Sequence, residues 1–281
     1  MNSDKTTSKY KFLVLIDKSK ASYNGLKNAV SLAKLINGSI DILQVTSPTS
    51  VVTQENQIAS MAAIGEEASK QKKELQQLVD TIANKDKNVA INYSFTIGNV
   101  KNEIKKHIDK TKPDIIVLGK RKNKIINILG DQVTEELLKT HNGGILICSK
   151  KEVPTSYSDQ SIGFLNNHYG LEKLSFVEDI RRLTEKPLKI YRNKDAGNLT
   201  NVDLTLESGS TQTANKDNII FEFDANKSTD DMANFISKNN LALLCINNNE
   251  EKNQSFLSTL NNTLTKTIEK TNTPVLVLNN N

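Results

Sequence analysis

Residues 12–45, FLVLIDKSKASYNGLKNAVSLAKLINGSIDILQV, contain the pattern that decides the fold. The apolar runs Phe12–Ile16 and Ile40–Val45 have the length and composition of buried strands. Between them, apolar residues recur at helical spacing over Ala21–Leu35, which indicates an amphipathic helix. A strand, a helix and a second strand in this order predict a βαβ unit with parallel strands.

The same alternation continues through the rest of the first half of the chain. The turn at Gly98-Asn99 and the proline at 113 bound one further helix, because both residue types interrupt regular structure. The predicted strands are Phe12–Ile16, Ile40–Val45, Val89–Thr96, Ile115–Leu118 and Ile145–Cys148, and the predicted helices are Ala21–Leu35, Glu55–Ala83, Val100–Thr111 and Val133–Thr140.

The second half repeats this plan more faintly. Asn193–Asp217 is rich in Asn, Thr, Ser and Gly, so the helix expected between its second and third strands is predicted to be shortened or missing. A helix carrying Leu260, Leu264 and Ile268 is predicted before the last strand. The predicted strands are Ile162–Leu165, Leu188–Tyr191, Ile219–Phe223, Ala242–Ile246 and Val275–Leu278.

An internal duplication explains these two series. The pattern DIIVLG, helix, GGILIC at 114–148 is echoed by LALLCI, helix, TPVLVL near the end of the chain. A length of 281 residues also favours two domains. We therefore predict domains over 1–150 and 151–281, joined by a linker at Lys150–Asp159. Each domain is expected to be a doubly wound, mainly parallel five-stranded α/β sheet flanked by helices, of Rossmann-like type.

Composition indicates a soluble, folded protein, since 37% of residues are hydrophobic and 25% are charged. The polar N-terminus precedes an apolar run too short for a signal peptide or a membrane span, which predicts a cytoplasmic protein without membrane attachment. The two cysteines, Cys148 and Cys245, lie in apolar runs, where free thiols behave as buried hydrophobic groups.

The positive charge is concentrated in the first half. Residues 1–150 contain 23 Lys and Arg against 15 Asp and Glu, whereas residues 151–281 contain 14 against 17. An excess of positive charge favours anionic partners. Because the lysines are spread over several helices, they are more typical of a solvated surface than of a nucleic-acid interface.

The first half resembles the universal stress protein family over residues 10–150. The resemblance rests on FLVLID at 12–17, followed by Ser19, Ala21 and Ser22, and on GLKNAVSLAKLINGSIDILQV at 25–45. It continues through IGNVKNEIKKHIDKTKPDIIVLGK at 97–120 and VTEELLKTHNGGILIC at 133–148. It implies the adenine-nucleotide alpha-hydrolase-like fold and, in the nucleotide-binding branch of the family, an ATP site in the first domain.

The resemblance also assigns candidate ligand positions. Asp17 matches the family's carboxylate after the first strand, at the adenine and ribose end of ATP, and Val45 matches its backbone contact after the second strand. The family holds phosphates with a loop of three spaced glycines followed by Ser or Thr, where backbone N–H groups approach the anion. Gly119 matches the first glycine, Lys122 replaces the second, and Gly130 reaches the third only if two residues are deleted.

Two interpretations of this loop stay open. Aligning on Val133 instead puts Asp131 and Gln132 at the last Gly-Ser positions, and in either alignment a carboxylate lies where phosphate should approach, which weakens anion binding. Alternatively, the basic run Lys120, Arg121 and Lys122, with Lys124, binds phosphate through side chains.

The second half lacks these groups. Its counterpart of the first-strand carboxylate is the neutral Asn166, and residues 247–253, NNNEEKN, contain no glycine and two carboxylates. We therefore interpret it as a degenerate universal stress protein-like domain that packs against the first as a built-in partner, in a pseudo-dimer within one chain.

The sequence shows no catalytic motif. It has no Walker loop, no nucleophile elbow, no paired cysteines and no histidine pair at metal-ligand spacing. The three histidines, His107, His141 and His168, are interpreted as surface or capping residues. These observations predict a protein that is not an enzyme and has neither a catalytic residue nor a bound metal.

The leading hypothesis is a non-catalytic stress-response or regulatory protein that acts through protein–protein contacts or self-association, with a homodimer or an unidentified protein as partner. No cofactor is assigned under this hypothesis. The alternative is an ATP-binding switch that uses Asp17, Val45 and the crevice between Gly119 and Gly130. The sequence does not identify the partner or the inducing stress.

Overall fold

The described residues of the chain form one ten-stranded sheet with helices on both faces. A computed structural model describes residues 8–48, 57–120, 133–151, 157–165, 174–193, 219–223, 229–247, 267, 268 and 270–279. The strand order is β3-β2-β1-β4-β5-β10-β9-β6-β7-β8. The strands are β1 Tyr10–Ile16, β2 Gly38–Thr46, β3 Ile91–Ile97, β4 Ile115–Gly119, β5 Gly143–Cys148, β6 Ser161–Leu165, β7 Lys189–Asn193, β8 Ile219–Phe223, β9 Leu241–Asn247 and β10 Val275–Asn279.

Six labelled helices connect these strands within the described residues. They are α1 Lys20–Ile36, α2 Gln57–Lys85, α3 Val100–Thr111, α4 Val133–Thr140, α5 Ser175–Leu183 and α6 Thr229–Lys238. Helical residues also occur at 267, 268 and 270, immediately before the turn that leads into β10.

The predicted mainly parallel α/β fold is confirmed, and the two halves follow the same plan. In the first half the order β3-β2-β1-β4-β5 is parallel throughout. The second half repeats this order in mirror sequence, from β10 through β9, β6 and β7 to β8. The two predicted five-stranded sheets are therefore the halves of one larger sheet.

Local sequence explains where the first helix begins and ends. Ser19 is the N-cap of α1, and its side chain accepts a hydrogen bond from the Ser22 backbone N–H. Asn37 ends the helix in the left-handed conformation, which asparagine adopts more readily than most residues. One face of α1 is buried against the sheet, as its helical spacing of apolar residues predicts.

The two faces of the sheet each support a hydrophobic core that extends through both halves. One core joins Val14 and Leu146 of the first half to Ala242 and Leu276 of the second. The opposite core joins Ile116 of the first half to residues such as Leu244, again across the boundary between the halves. Each half thus buries part of its apolar surface against the other.

The described strands agree with the sequence predictions to within about two residues at most ends, the usual uncertainty of element boundaries. Helices α5 and α6 are additional, since no helix is assigned to either segment from sequence. Their short amphipathic stretches bury only a few residues each, such as Phe176, Val177 and Ile180 in α5. The predicted positions Leu260 and Leu264, half of the Lys150–Asp159 linker and nearly all of Asn193–Asp217 lie outside the described residues.

Two further expectations from composition can be compared with the structure. Cys148 and Cys245 are free and buried, as expected for cysteines in apolar strands. Among the described helices, none has the length and hydropathy needed to cross a membrane.

The halves meet at an antiparallel seam between β5 and β10. Five residue pairs, from Val275 opposite Ile147 to Asn279 opposite Gly143, form this ladder. The buried side chain of Asn279 donates from Nδ2 to the carbonyl oxygens of Leu138 and His141, at 3.0 and 3.1 Å. These carbonyls lie at the C-terminal end of α4, where an α-helix leaves acceptors without partners.

The opposite end of the seam has a corresponding contact. Ser149, which directly follows β5, donates from Oγ to the Asn272 carbonyl oxygen at 3.0 Å. Asn272 lies just beyond the helical residues that precede β10. Each half therefore provides a side chain, directly after or at the end of its last strand, that binds the closing helix end of the other half.

Buried polar groups also fix the chain as it leaves the first half. Asn24 of α1 donates from Nδ2 to the carbonyl oxygens of Ser149 and Lys151, at 3.2 and 2.9 Å. Asn28, one turn further along α1, accepts a hydrogen bond from the buried Tyr157 hydroxyl. Helix α1 thus holds both sides of the connection between the halves.

We predict that Asn279→Ala destabilises the protein by about 1–3 kcal/mol, because buried helix-end carbonyls lose their donor. Urea denaturation followed by circular dichroism measures this change. Asn239→Ala is the matched control, because Asn239 caps the exposed end of α6 through the Phe235 carbonyl oxygen at 2.9 Å. Asn239→Ala should lower the free energy of unfolding by only about 0.5 kcal/mol. Equal losses for the two variants would contradict a special contribution from the seam.

Candidate functional site

The carboxyl ends of β1, β2 and β4 define the candidate site. Strand β1 lies between β2 and β4, and it pairs in parallel with both. The chain leaves β1 toward β2 on one side and returns to β4 on the other side. Doubly wound sheets bind their ligands at such a switch point, in the crevice beyond the carboxyl ends of the strands.

Asp17 follows β1 at this edge, and its carboxylate is tied to the start of α1. Its Oδ1 accepts a hydrogen bond from the Ser19 backbone N–H at 3.0 Å. Lys18, between them, has a φ of 62°, in the left-handed region. Ser22 completes the turn, since its Oγ donates to the Ser19 carbonyl oxygen at 2.9 Å. Asp17 therefore helps to shape the first turn of α1.

Gly119 is the last residue of β4, and it faces this same turn. A Cβ atom placed on Gly119 would lie 2.7 Å from the carbonyl carbon of Ala21 and 2.8 Å from the Ser22 Cα. Real side chains do not approach backbone this closely, so only glycine allows the end of β4 to contact the start of α1. The structure thereby brings Gly119 and the Asp17 turn together across the switch point.

Val45 is the next-to-last residue of β2, and its expected backbone contact with ATP stays a prediction. It lies inside β2, where it pairs with Thr96 of β3. The pairing of β2 with β1 ends one residue earlier, at Gln44. The Val45 side chain is partly buried against the core on the α3 and α4 face.

Lys120 follows Gly119, and its side chain reaches the second half of the protein. Its backbone N–H donates to the Cys148 carbonyl oxygen at 2.6 Å. Its Nζ donates to the carbonyl oxygens of Ile268 and Thr271, at 2.5 and 3.4 Å. The phosphate contact expected of this ammonium stays a prediction, and in the structure the ammonium binds across the seam.

The remaining predicted ligands belong to the segment between β4 and α4. Arg121, Lys122 and Gly130 lie outside the described residues, as do Lys124, Asp131 and Gln132. Both interpretations of the phosphate loop stay predictions. In the second half, Asn166 and residues 248–253 also lie outside the described part of the chain.

A polar cluster from α2 adjoins the carboxyl end of β2, and sequence reasoning missed it. The Gln71 side-chain oxygen accepts hydrogen bonds from Gln44 Nε2 and Thr46 Oγ1, both at 2.7 Å. Its amide nitrogen donates to Glu67 at 2.6 Å. One turn further along the helix, Glu74 pairs with Lys18, and this hydrogen bond lowers the pKa of Glu74.

A sequence signal for this cluster does exist. Glu67, Gln71 and Glu74 follow one another at spacings of four and three, which puts them on one face of α2. Polar residues at this spacing are normally read as a solvated face. Here that face lies against the end of β2. The burial of Gln71 shows that the face is packed against the sheet and not solvated.

The described histidines do not converge on the candidate site. His107 of α3 forms a 2.6 Å contact from Nε2 to Asp41 of β2. His141 is at a helix end, as predicted, and it is buried, since only 6% of it is exposed. Its Nε2 is among the described buried atoms without a hydrogen-bond partner. Burial lowers the pKa of His141, and a contact with the Asp114 backbone partly opposes this shift.

Metal chemistry has no support among the residues that can be placed. No group of three His, Cys, Asp or Glu side chains suited to a metal ion occurs in the described ranges. Both cysteine thiols have pKa values raised by complete burial, which keeps them protonated and unreactive.

The strand order and the glycine contact at the switch point define a doubly wound α/β protein with a candidate ligand edge in its first half. Residues 10–148, just under half of the chain, match the model of the universal stress protein family, so this segment is a domain of that family. A comparison with curated proteins found no match.

Solved structures extend the likeness in fold to the whole chain. A universal stress protein from Archaeoglobus fulgidus superposes with a TM-score of 0.68 at 15% identity, over 96% of each chain. A putative universal stress protein from Pseudomonas aeruginosa gives 0.55 at 15% identity, over 96% of this chain and 92% of the other. A functionally unknown protein from the same species gives 0.56 at 12% identity with the same coverage. At these identities the likeness concerns the fold alone.

We predict that Gly119→Ala lowers the free energy of unfolding by about 1–3 kcal/mol, because the added methyl group overlaps the backbone of α1. Gly65→Ala is the control within the same half. Gly65 is exposed inside α2 with no atom within 4 Å of an added Cβ, so its replacement should stabilise the protein by about 0.5–1 kcal/mol. Thermal and urea unfolding measure both values. Similar effects of the two substitutions would contradict the close approach.

We also predict that His141 makes the protein less stable as the pH is lowered. Its folded pKa lies below the ordinary value of 6.5, so the unfolded chain binds a proton more readily. The resulting stability is present above pH 6.5 and is lost as pH falls from there toward the folded pKa. Urea midpoints of wild type and His141→Gln at pH 7.5 and 5.5 test this. The variant should lose less stability on acidification, and equal losses would exclude a role for His141.

Proposed function

We propose that the protein is a non-catalytic regulatory member of the universal stress protein family that acts through contacts with a protein partner or a second copy. Its two halves form one unit, in which the second half serves as a built-in partner of the first. The expected location is the cytoplasm. The proposal builds on the family match of residues 10–148.

One observation carries this proposal: two charged groups of the candidate crevice already have partners inside the chain. Asp17 accepts the Ser19 N–H, and the Lys120 ammonium binds carbonyl groups of the second half. A group that serves a ligand has to exchange such internal partners for the ligand, which reduces the net free energy of binding. The positions of Asp17 and Lys120 therefore favour a role in stabilising the fold over a role in binding a ligand.

An ATP-binding switch is the second candidate function. It is favoured by the position of Asp17 and Gly119 on either side of the switch point, the place where doubly wound sheets hold nucleotides. Val45 lies at the same edge, on the other side of β1. Under this proposal Lys120, Arg121, Lys122 and Gly130 would contribute to the phosphate end, and ATP would be the ligand.

Calorimetric titration of the full chain with ATP and Mg²⁺ separates the two candidates. The leading proposal predicts no saturable heat at millimolar nucleotide while circular dichroism shows a folded protein. Asp17→Ala is titrated in parallel, with Lys105→Met as the control for loss of surface charge, because Lys105 lies on exposed α3.

Saturable binding that is lost in Asp17→Ala and kept in Lys105→Met would overturn the leading proposal in favour of the switch. Release of inorganic phosphate during the titration would overturn the non-catalytic assignment. Sedimentation velocity over a hundredfold range of protein concentration then tests self-association, which predicts a sedimentation coefficient that rises with concentration.

A further inference from the structure

The Lys120 side chain connects the candidate crevice to the seam between the halves. Lys120 directly follows Gly119, which contacts the first turn of α1 at the switch point. Its Nζ nevertheless donates to the carbonyl oxygens of Ile268 and Thr271, about half the chain length away. The backbone of Lys120 therefore lies at the candidate ligand edge, whereas its side chain contacts the second half.

The acceptors of Lys120 lie at a helix end. The Thr271 backbone N–H donates to the Thr267 carbonyl oxygen at 2.9 Å, which is an α-helical hydrogen bond. The helix terminates there, because the chain turns at 271–274 and enters β10 at Val275. Carbonyl oxygens at a C-terminal end carry partial negative charge and lack intrahelical donors. A lysine ammonium satisfies both requirements.

The same helix end is held by a second group from the first half. Ser149 donates from Oγ to the Asn272 carbonyl oxygen at 3.0 Å. Ser149 follows β5, whereas Lys120 follows β4, the strand next to β5. Two adjacent strands of the first half thus bind the turn that leads the chain into β10, the strand on the other side of the seam.

We propose that Lys120 is a latch that holds the seam closed, and that a polyphosphate anion in the candidate crevice opens it. An anion at the carboxyl end of β4 attracts the Lys120 ammonium, which cannot at the same time bind the helix-end carbonyls. Withdrawal of Lys120 removes charge-assisted hydrogen bonds from the turn before β10, so this turn and the β5–β10 ladder loosen. The anion arm of this proposal rests on the second candidate function, whereas the latch itself does not.

Coupling of this kind is reciprocal. If the bound anion lowers the equilibrium constant for closing the seam by a given factor, opening the seam raises the affinity for the anion by the same factor. A partner protein that senses the seam would then respond to a ligand that it does not touch. This connection would give the two candidate functions a common structural basis.

Hydrogen exchange of the β10 amides, Val275–Asn279, measures the latch directly. We expect Lys120→Met to speed their exchange roughly tenfold or more, the change that corresponds to the loss of hydrogen bonds from a charged donor. Lys105→Met, which removes an exposed lysine of α3, should leave β10 exchange unchanged. Lys120→Arg keeps donors at the helix end and should stay close to wild type.

Inorganic tripolyphosphate is the probe for the anion arm. In wild type, saturating tripolyphosphate should speed β10 exchange to near the rate of Lys120→Met. It should have no further effect in Lys120→Met, which should also bind the probe more weakly by calorimetry. Ser149→Ala separates the two roles of Lys120, because it loosens the same helix end and leaves Lys120 in place. This variant should start with faster exchange and still respond to tripolyphosphate.

Each outcome decides one part of the proposal. Wild-type exchange rates in Lys120→Met would overturn the latch. Faster exchange in that variant, together with no binding or no effect of tripolyphosphate in wild type, would establish the latch and overturn its control by an anion. Failure of ATP to bind in the Asp17→Ala comparison is a separate result, because the latch is measured without nucleotide.

Discussion

The antiparallel pairing of β5 with β10 is the constraint on which the rest of the molecule depends. It turns two sets of parallel strands into one sheet and removes the edge that each set would otherwise leave exposed. Because the sheet is continuous, the apolar clusters on its two faces also extend across the boundary. The stability of either half therefore includes contributions from the other.

The side chains around this seam show how polar groups adapt to such pairing. A helix that ends beside a buried ladder needs donors for its last carbonyl groups, and at the end of α4, where these hydrogen bonds are buried, solvent does not provide them. Asn279, Ser149 and Lys120 provide donors at the two closing helix ends. In each case the donor and the acceptor belong to different halves, so satisfaction of these groups requires the paired arrangement.

Sequence reasoning located what depends on neighbouring residues and missed what depends on distant ones. The strands, the position of Asp17 after β1 and that of Gly119 at the end of β4 follow from local apolar runs and their order. The partner of Lys120 is 148 residues away, and no local pattern indicates it. The burial of His141 was not predicted for the same reason, since the strand that packs against this helix end is distant in the sequence. The cluster around Gln71 has a helical spacing that does not distinguish burial from solvation.

The direction of the strands has a consequence for stoichiometry. Because β5 and β10 are antiparallel, the carboxyl ends of the parallel strands in the two halves open at opposite edges of the sheet. A small molecule bound at one edge is therefore separated from the other edge by the length of the strands. If ligand groups are lost from one half, the turn at Asp17 and Gly119 in the other half need not change, so a sheet of this kind can hold two, one or no ligand molecules.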